Sequence, residues 1–169
     1  MAHAKSTLAT NATAVPIVYN KVGLYGARVR SIVTTVESTA GDNDTFALCM
    51  LNPEWRVLHI WTTNDANSGG ADYDIGLHSD SAGTVISAAA GACYSDGVSM
   101  ASGVTALPRD LAFGGGTDGR AIEKLGQFVY EDAGHTTANK LTEYWLAVTA
   151  KDAGTAGKTM VFNILFTVD

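Results

Sequence analysis

RVLHIWTTNDANSGGADYDIGLH, residues Arg56 to His78, sets two strand-like runs on either side of a polar, glycine-containing turn, and its reading decides the fold. In the second run Tyr73, Ile75 and Leu77 alternate strictly with Asp72, Asp74, Gly76 and His78, the period-two pattern of a strand with one buried face. In the first, Leu58, Ile60 and Thr62 share one face and Val57, His59, Trp61 and Thr63 the other. Both faces carry apolar bulk, which predicts a strand lying between a core and a second contact surface. Asn64 to Gly70 holds residues that tolerate positive φ or bond their own backbone, so the two runs read as a β-hairpin with a loop longer than the tightest kind.

The same reading extends outward. Arg28 to Glu37 is rich in β-branched residues, STAGDND (38–44) is a turn, and Thr45 to Leu51 is a strand stopped at Asn52-Pro53, which together predict another hairpin. Near the C-terminus, Tyr144, Leu146 and Val148 alternate with Trp145, Ala147 and Thr149. Phe162, Ile164, Phe166 and Val168 alternate with Val161, Asn163, Leu165 and Thr167, and KDAGTAGK (151–158) is the turn between the two runs. One helix is expected between Asp118, as N-cap, and Gly134, as stop, because Ile122, Leu125, Phe128 and Val129 stand at helical spacing. Gly126 weakens it by about 1 kcal/mol relative to alanine. Ser79 to Gly119 is dominated by Ala, Gly, Ser and Thr. A structureless loop of that length is foreign to a compact domain, so this segment either hides short strands or is ordered by a neighbouring subunit. Residues 1–26 lack a period and read as an extended arm, and 27–169 as a single domain. Strand after strand with one short helix and no βαβ alternation predicts an all-β fold, an antiparallel β-sandwich or a jelly-roll-like variant of it.

Composition narrows the functional classes. Charged residues make up 17% of the chain and the net charge is −6, with no cluster of Lys and Arg to neutralise phosphates, so nucleic acid is not an expected partner. Arg28 and Arg30 share one strand face and Lys124 stands alone. No apolar run reaches the ~18 residues of a membrane span, and the N-terminus lacks a signal-peptide core, so no membrane partner is expected and the chain reads as soluble and made in the cytoplasm. Cys49 and Cys93, far apart and outside any CxxC pattern, are either buried small apolar residues or one disulfide.

Chemistry-bearing patterns are weak. Asp42, Asn43 and Asp44, or Asp65, Asn67, Asp72 and Asp74, hold oxygens that suit a hard cation, but without EF-hand spacing; no metal is expected. His3, His59, His78 and His135 are scattered, no nucleophile or metalloprotease motif occurs, and the glycine-rich run Gly114 to Gly119 lacks the lysine of a phosphate-binding loop. The expectation is therefore no catalytic residue, no cofactor and no enzyme activity. Trp55, Trp61 and Trp145 with Tyr73 and Tyr144 could line a sugar-binding face, pack the core, or form a subunit interface.

RVLHIWTTNDANSGGADYDIGL (56–77), the Ser/Ala/Gly-rich stretch after it, IEKLGQFVYEDAG (122–134) and EYWLAVTAKDAGTAG (143–157) together resemble a family of small structural proteins of tailed bacteriophages, found among head genes. The resemblance covers about residues 28–168. It implies a virion component, most plainly a capsid decoration or cement protein on the capsid exterior that binds the major capsid protein as a homotrimer. A neck or tail component, or a carbohydrate-binding adhesion module, are the alternatives.

Overall fold

The computed structural model describes residues 28–67, 72–110, 126–138, 141 and 143–168. Eight strands are present there: β1 (Arg28–Glu37), β2 (Thr45–Leu51), β3 (Arg56–Asn64), β4 (Asp72–His78), β5 (Ser95–Ser99), β6 (Val104–Asp110), β7 (Tyr144–Ala150) and β8 (Thr159–Val168). Two single-turn helices accompany them, α1 (Ala88–Gly91) before β5 and α2 (Val129–Asp132) before β7. Every strand pair is antiparallel, in two four-stranded sheets of order β1-β8-β3-β6 and β2-β7-β4-β5. First and last strands are neighbours, and among the described strands every connection except β4 to β5 crosses from one sheet to the other. That is the eight-stranded jelly roll, the more specific form of the expected all-β sandwich.

The two expected hairpins are therefore corrected. β1 and β2, and β3 and β4, each lie in opposite sheets, and the turn at 151–158 likewise carries the chain from β7 in one sheet to β8 in the other. Turn-forming residues between two half-apolar strands report that the chain reverses. A reversal that arches over the ~10 Å between packed sheets uses the same residues as one that stays within a sheet. The alternation itself holds. Tyr73, Ile75, Leu77, Tyr144, Leu146, Val148, Phe162 and Ile164 all point inward and are buried. A register shift between Val57 and His59 changes the reading of β3: Val57 turns into the core with Ile60, and His59, Trp61 and Thr63 remain outside.

At one end of the sandwich, buried polar groups tie the arches together. Ser38 exchanges backbone bonds with Gly157 and Lys158, and its hydroxyl donates to the Thr155 carbonyl at 2.6 Å. Asn64 donates through Nδ2 to the carbonyls of Asp65, Met100 and Ser102. Asn67, fully buried, donates to the Tyr73 hydroxyl and accepts the Thr155 amide, each at 2.6 Å. At the other end Arg56, 1% exposed, donates to the Gly126 carbonyl at 2.6 Å with its guanidinium 3.6 Å from the centre of the Phe128 ring.

The segment 79–119 does hide strands, β5 and β6, together with α1. α1 lies on the outer face of its sheet over Gly76, whose missing side chain makes the room: a Cβ there would stand 2.2 Å from the Ala90 carbonyl oxygen. The expected helix is corrected in what can be described of it. Residues 118–125 lie outside the described residues, Gly126 adopts φ +83°, and the helical turn begins only at Val129, with Glu131 closing back on the Phe128 amide. Gly134, at φ +81°, ends it as expected. The arm, residues 1–26, also lies outside the described residues.

Candidate functional site

The outer face of the β1-β8-β3-β6 sheet is the surface least explained by folding. The register places three rows across three strands: Ser31, Leu165 and His59; Val33, Asn163 and Trp61; Thr35, Val161 and Thr63. None of the nine is Asp, Glu, Lys or Arg, and on β6 Asp110 stands in register beside Trp61. Val33 is 65% exposed and Val29, further along β1, 56%, values that belong to a contact surface more than to solvent. His59 and Trp61, two residues apart on one strand, stack with ring centroids 5.0 Å apart and planes 5° from parallel. A groove of about 190 Å³ is lined by Val33, Trp61, Thr62, Thr63, Val161 and Asn163. Oδ1 of Asn163 has no hydrogen-bond partner.

A larger cleft of about 630 Å³ lies at the foot of the same sheet, between Arg30, Ser31, Ile32, Trp55, Phe166 and Val168. Trp55 stacks on Phe166 there at 4.7 Å. Arg30 is the one charged group on this described wall.

The other groups nominated by the sequence are dispersed. Tyr73 and Tyr144 are core residues, and burial pushes both phenols above their ordinary pKa; their hydroxyls are engaged with Asn67 and His135. Trp145 is half-buried on the outer face of the second sheet, in register with His78. The five aromatics thus form no common face. His78 is buried beneath the segment that bridges to it at Val85, His59 is in the stack, His135 bonds Tyr144 at 2.6 Å, and His3 lies outside the described residues. Cys49 and Cys93 are not joined in a disulfide and pack against the core, and burial pushes the Cys49 thiol up to about 11.

The acidic residues serve turns and one exposed ion-pair cluster. Asp44 accepts from the Thr39 hydroxyl, and Asp65 from the Thr159 amide. Asp74 accepts the Gly97 amide at 2.8 Å and faces Lys151 at 3.4 Å, while Lys151 meets Asp96 at 2.5 Å. Desolvation raises the Asp74 carboxyl, whereas the Lys151 bond lowers Asp96 and raises Lys151 in turn. Among the described residues no group of three or more His, Cys, Asp or Glu could hold a metal ion, and no helix is long and apolar enough to cross a membrane. The glycine-rich run at 114–119 and Lys124 lie outside the described residues.

Fold and face together define a small jelly-roll protein with an aromatic-bearing sheet surface. No family model matches the sequence, and no curated protein matches it either. Among solved structures, the chain is similar to one from the cyanophage Pam1 capsid asymmetric unit, with a TM-score of 0.55 and 12% identity. The match covers 86% of this chain and 88% of that one, so the two are nearly equal in length. At this identity the likeness establishes a shared fold.

Proposed function

We propose that this chain is a structural protein of a tailed-phage virion, and that it acts as a decoration protein on the capsid exterior by binding the major capsid protein. The observation that carries the reading is the end-to-end structural likeness to a chain of almost the same length in a phage capsid asymmetric unit. The sequence resemblance across residues 28–168 points the same way independently. The chemistry of the molecule agrees with a passive role. Buried Asn64 and Asn67 pin arches, and the charge density of the chain is low, which suits permanent contacts. In this reading the arm, residues 1–26, wraps capsid subunits, and the protein assembles as a closed trimer at three-fold capsid positions. We read it as non-catalytic.

Location in the particle is the test. Capsids purified without tails should retain the protein, and deleting residues 1–26 should weaken attachment while the β-body stays folded by circular dichroism. Heads that lack the protein while isolated tails or necks carry it would refute decoration. Undiminished head binding by the truncated chain would refute the arm mechanism alone.

A further inference from the structure

Beyond the virion reading, we propose that two copies of this chain join edge to edge through β1, antiparallel about a two-fold axis at Val33. The two sheets have four edges, β1 and β6 in one and β2 and β5 in the other. An open edge offers unpaired N–H and C=O groups to another strand, and proteins that stay single blunt it with proline, bulges, lysine or short length. Three of these edges are blunted. β6 contains Pro108, which has no N–H to give, and its register with β3 shifts between Thr62 and Asn64. β2 carries a bulge between Ala47 and Cys49. β5 is five residues long and holds Gly97 at φ +67°. β1 has none of these devices. It runs for ten residues in unbroken register with β8 and contains neither Pro nor Lys. Its middle, SIVTTV (31–36), is uncharged and β-branched at every position after Ser31. Val33, at its centre, is the most exposed large apolar residue among those described.

The ends of β1 select the occupant. Arg28 and Arg30 lie at one end and Glu37 at the other, so an antiparallel second β1 brings acid beside base at both ends of the seam. A parallel one would set like charges together. The edge is thus complementary to itself. A two-fold axis normal to the sheet keeps the same face of both copies on one side, so outward residues meet outward ones and inward meet inward. Centred on Val33, it sets Val33 against its twin, Val29 against the partner's Glu37 and Ser31 against the partner's Thr35 on the outer face. On the inner face Arg30 meets the partner's Val36, and Ile32 the partner's Thr34. Residues 29–37 all find a partner, and the two β1-β8-β3-β6 sheets become one continuous sheet, strand addition in its isologous form.

Sedimentation equilibrium of the full-length protein, carried to near-millimolar concentration, tests the seam, because one strand pair falls in the small, weak class of interfaces. Wild type should form an assembly with an even number of copies. Val33→Lys sets two ammonium groups against each other on the axis and should raise the dissociation constant at least ~10-fold, halving the mass. A dimer then falls to monomers, and a pair of the proposed trimers to single trimers. Val33 is 65% exposed, so the fold is not at stake, and circular dichroism checks it. Val29→Lys, opposite the partner's Glu37, should not weaken the assembly. Four results overturn the proposal: a wild-type monomer or lone trimer at the highest concentration; an unchanged mass in folded Val33→Lys; equal dissociation by both lysines; or β1 amides protected from hydrogen exchange only after heads are added, which would give the edge to a capsid segment. A full chain that stays monomeric while the chain lacking residues 1–26 associates would place the arm on this edge, and overturns it too. The assay uses isolated protein, so it can fail while tail-free heads retain the chain, and the reverse.

Discussion

Replacing Asn67 with alanine is expected to destabilise the protein by about 3 kcal/mol. The residue is fully buried and joins three arches: Nδ2 donates to the Tyr73 hydroxyl at 2.6 Å, Oδ1 accepts the Thr155 amide at 2.6 Å, and the backbone amide reaches the Met100 carbonyl at 3.1 Å. Alanine keeps only the backbone bond. The buried Tyr73 hydroxyl and the Thr155 amide each lose this partner, at about 1–2 kcal/mol apiece, and the vacated volume beside Gly154 adds a smaller packing loss. For a domain of this size that lowers the melting temperature by about 10 °C. Urea unfolding followed by tryptophan fluorescence gives the free energy. A double-mutant cycle with Tyr73→Phe isolates the amide–hydroxyl bond, for which a coupling of about 1 kcal/mol is expected. A loss below about 1 kcal/mol for Asn67→Ala, or zero coupling in the cycle, would refute the view that this amide clamps the arches.

Cys49, with its thiol pushed from 9.0 to about 11 by burial, should react with iodoacetamide at pH 8 about 100-fold more slowly in the native protein than in urea; equal rates, read by mass spectrometry, would contradict the burial. Asp74 has a raised carboxyl pKa, so its folded form holds a proton more tightly than the unfolded chain and its contribution to stability falls as pH rises through that value. Asp74→Asn should therefore gain stability relative to wild type between pH 3 and neutrality, in paired chemical denaturations; a relative loss over that interval would mean that the Lys151 attraction outweighs desolvation. Gly76→Ala places a methyl 2.2 Å from backbone atoms of Ala90 and Gly91, forcing α1 off the sheet at about 1–3 kcal/mol. Hydrogen exchange should then accelerate across 79–92, and unchanged protection there would count against the packing described.

Strand existence was legible because a period of two needs only the strand's own residues. β4, β7 and β8 show their alternation in the sequence, and β3 reads as apolar on both sides. Sheet membership was not legible, because turns such as 38–44 and 151–158 encode a reversal and not the partner reached after it. SDGVS, the five residues of β5, is too short and too polar to show a period, and it is a strand because β4 supplies its hydrogen bonds. The misplaced helix start has a similar cause. Phe128 fits a helical stripe by spacing, yet it is held outside the helix as the ring beneath Arg56, a residue remote in sequence. Asn67 looked like an ordinary turn residue, and nothing local distinguishes an asparagine that faces solvent from one that locks three arches. The candidate face shows both sides of the same limit. From the sequence Trp61 is one of five aromatics open to a sugar face, the core or an interface, and the strand register is what places it on the outer face. Its groove partners Val33, Val161 and Asn163 could not be named, since they reach it only because β8 inserts between β1 and β3. A jelly roll pairs its first strand with its last, so a site on that sheet is assembled from the two ends of the described chain, and local pattern can disclose one wall of it at most.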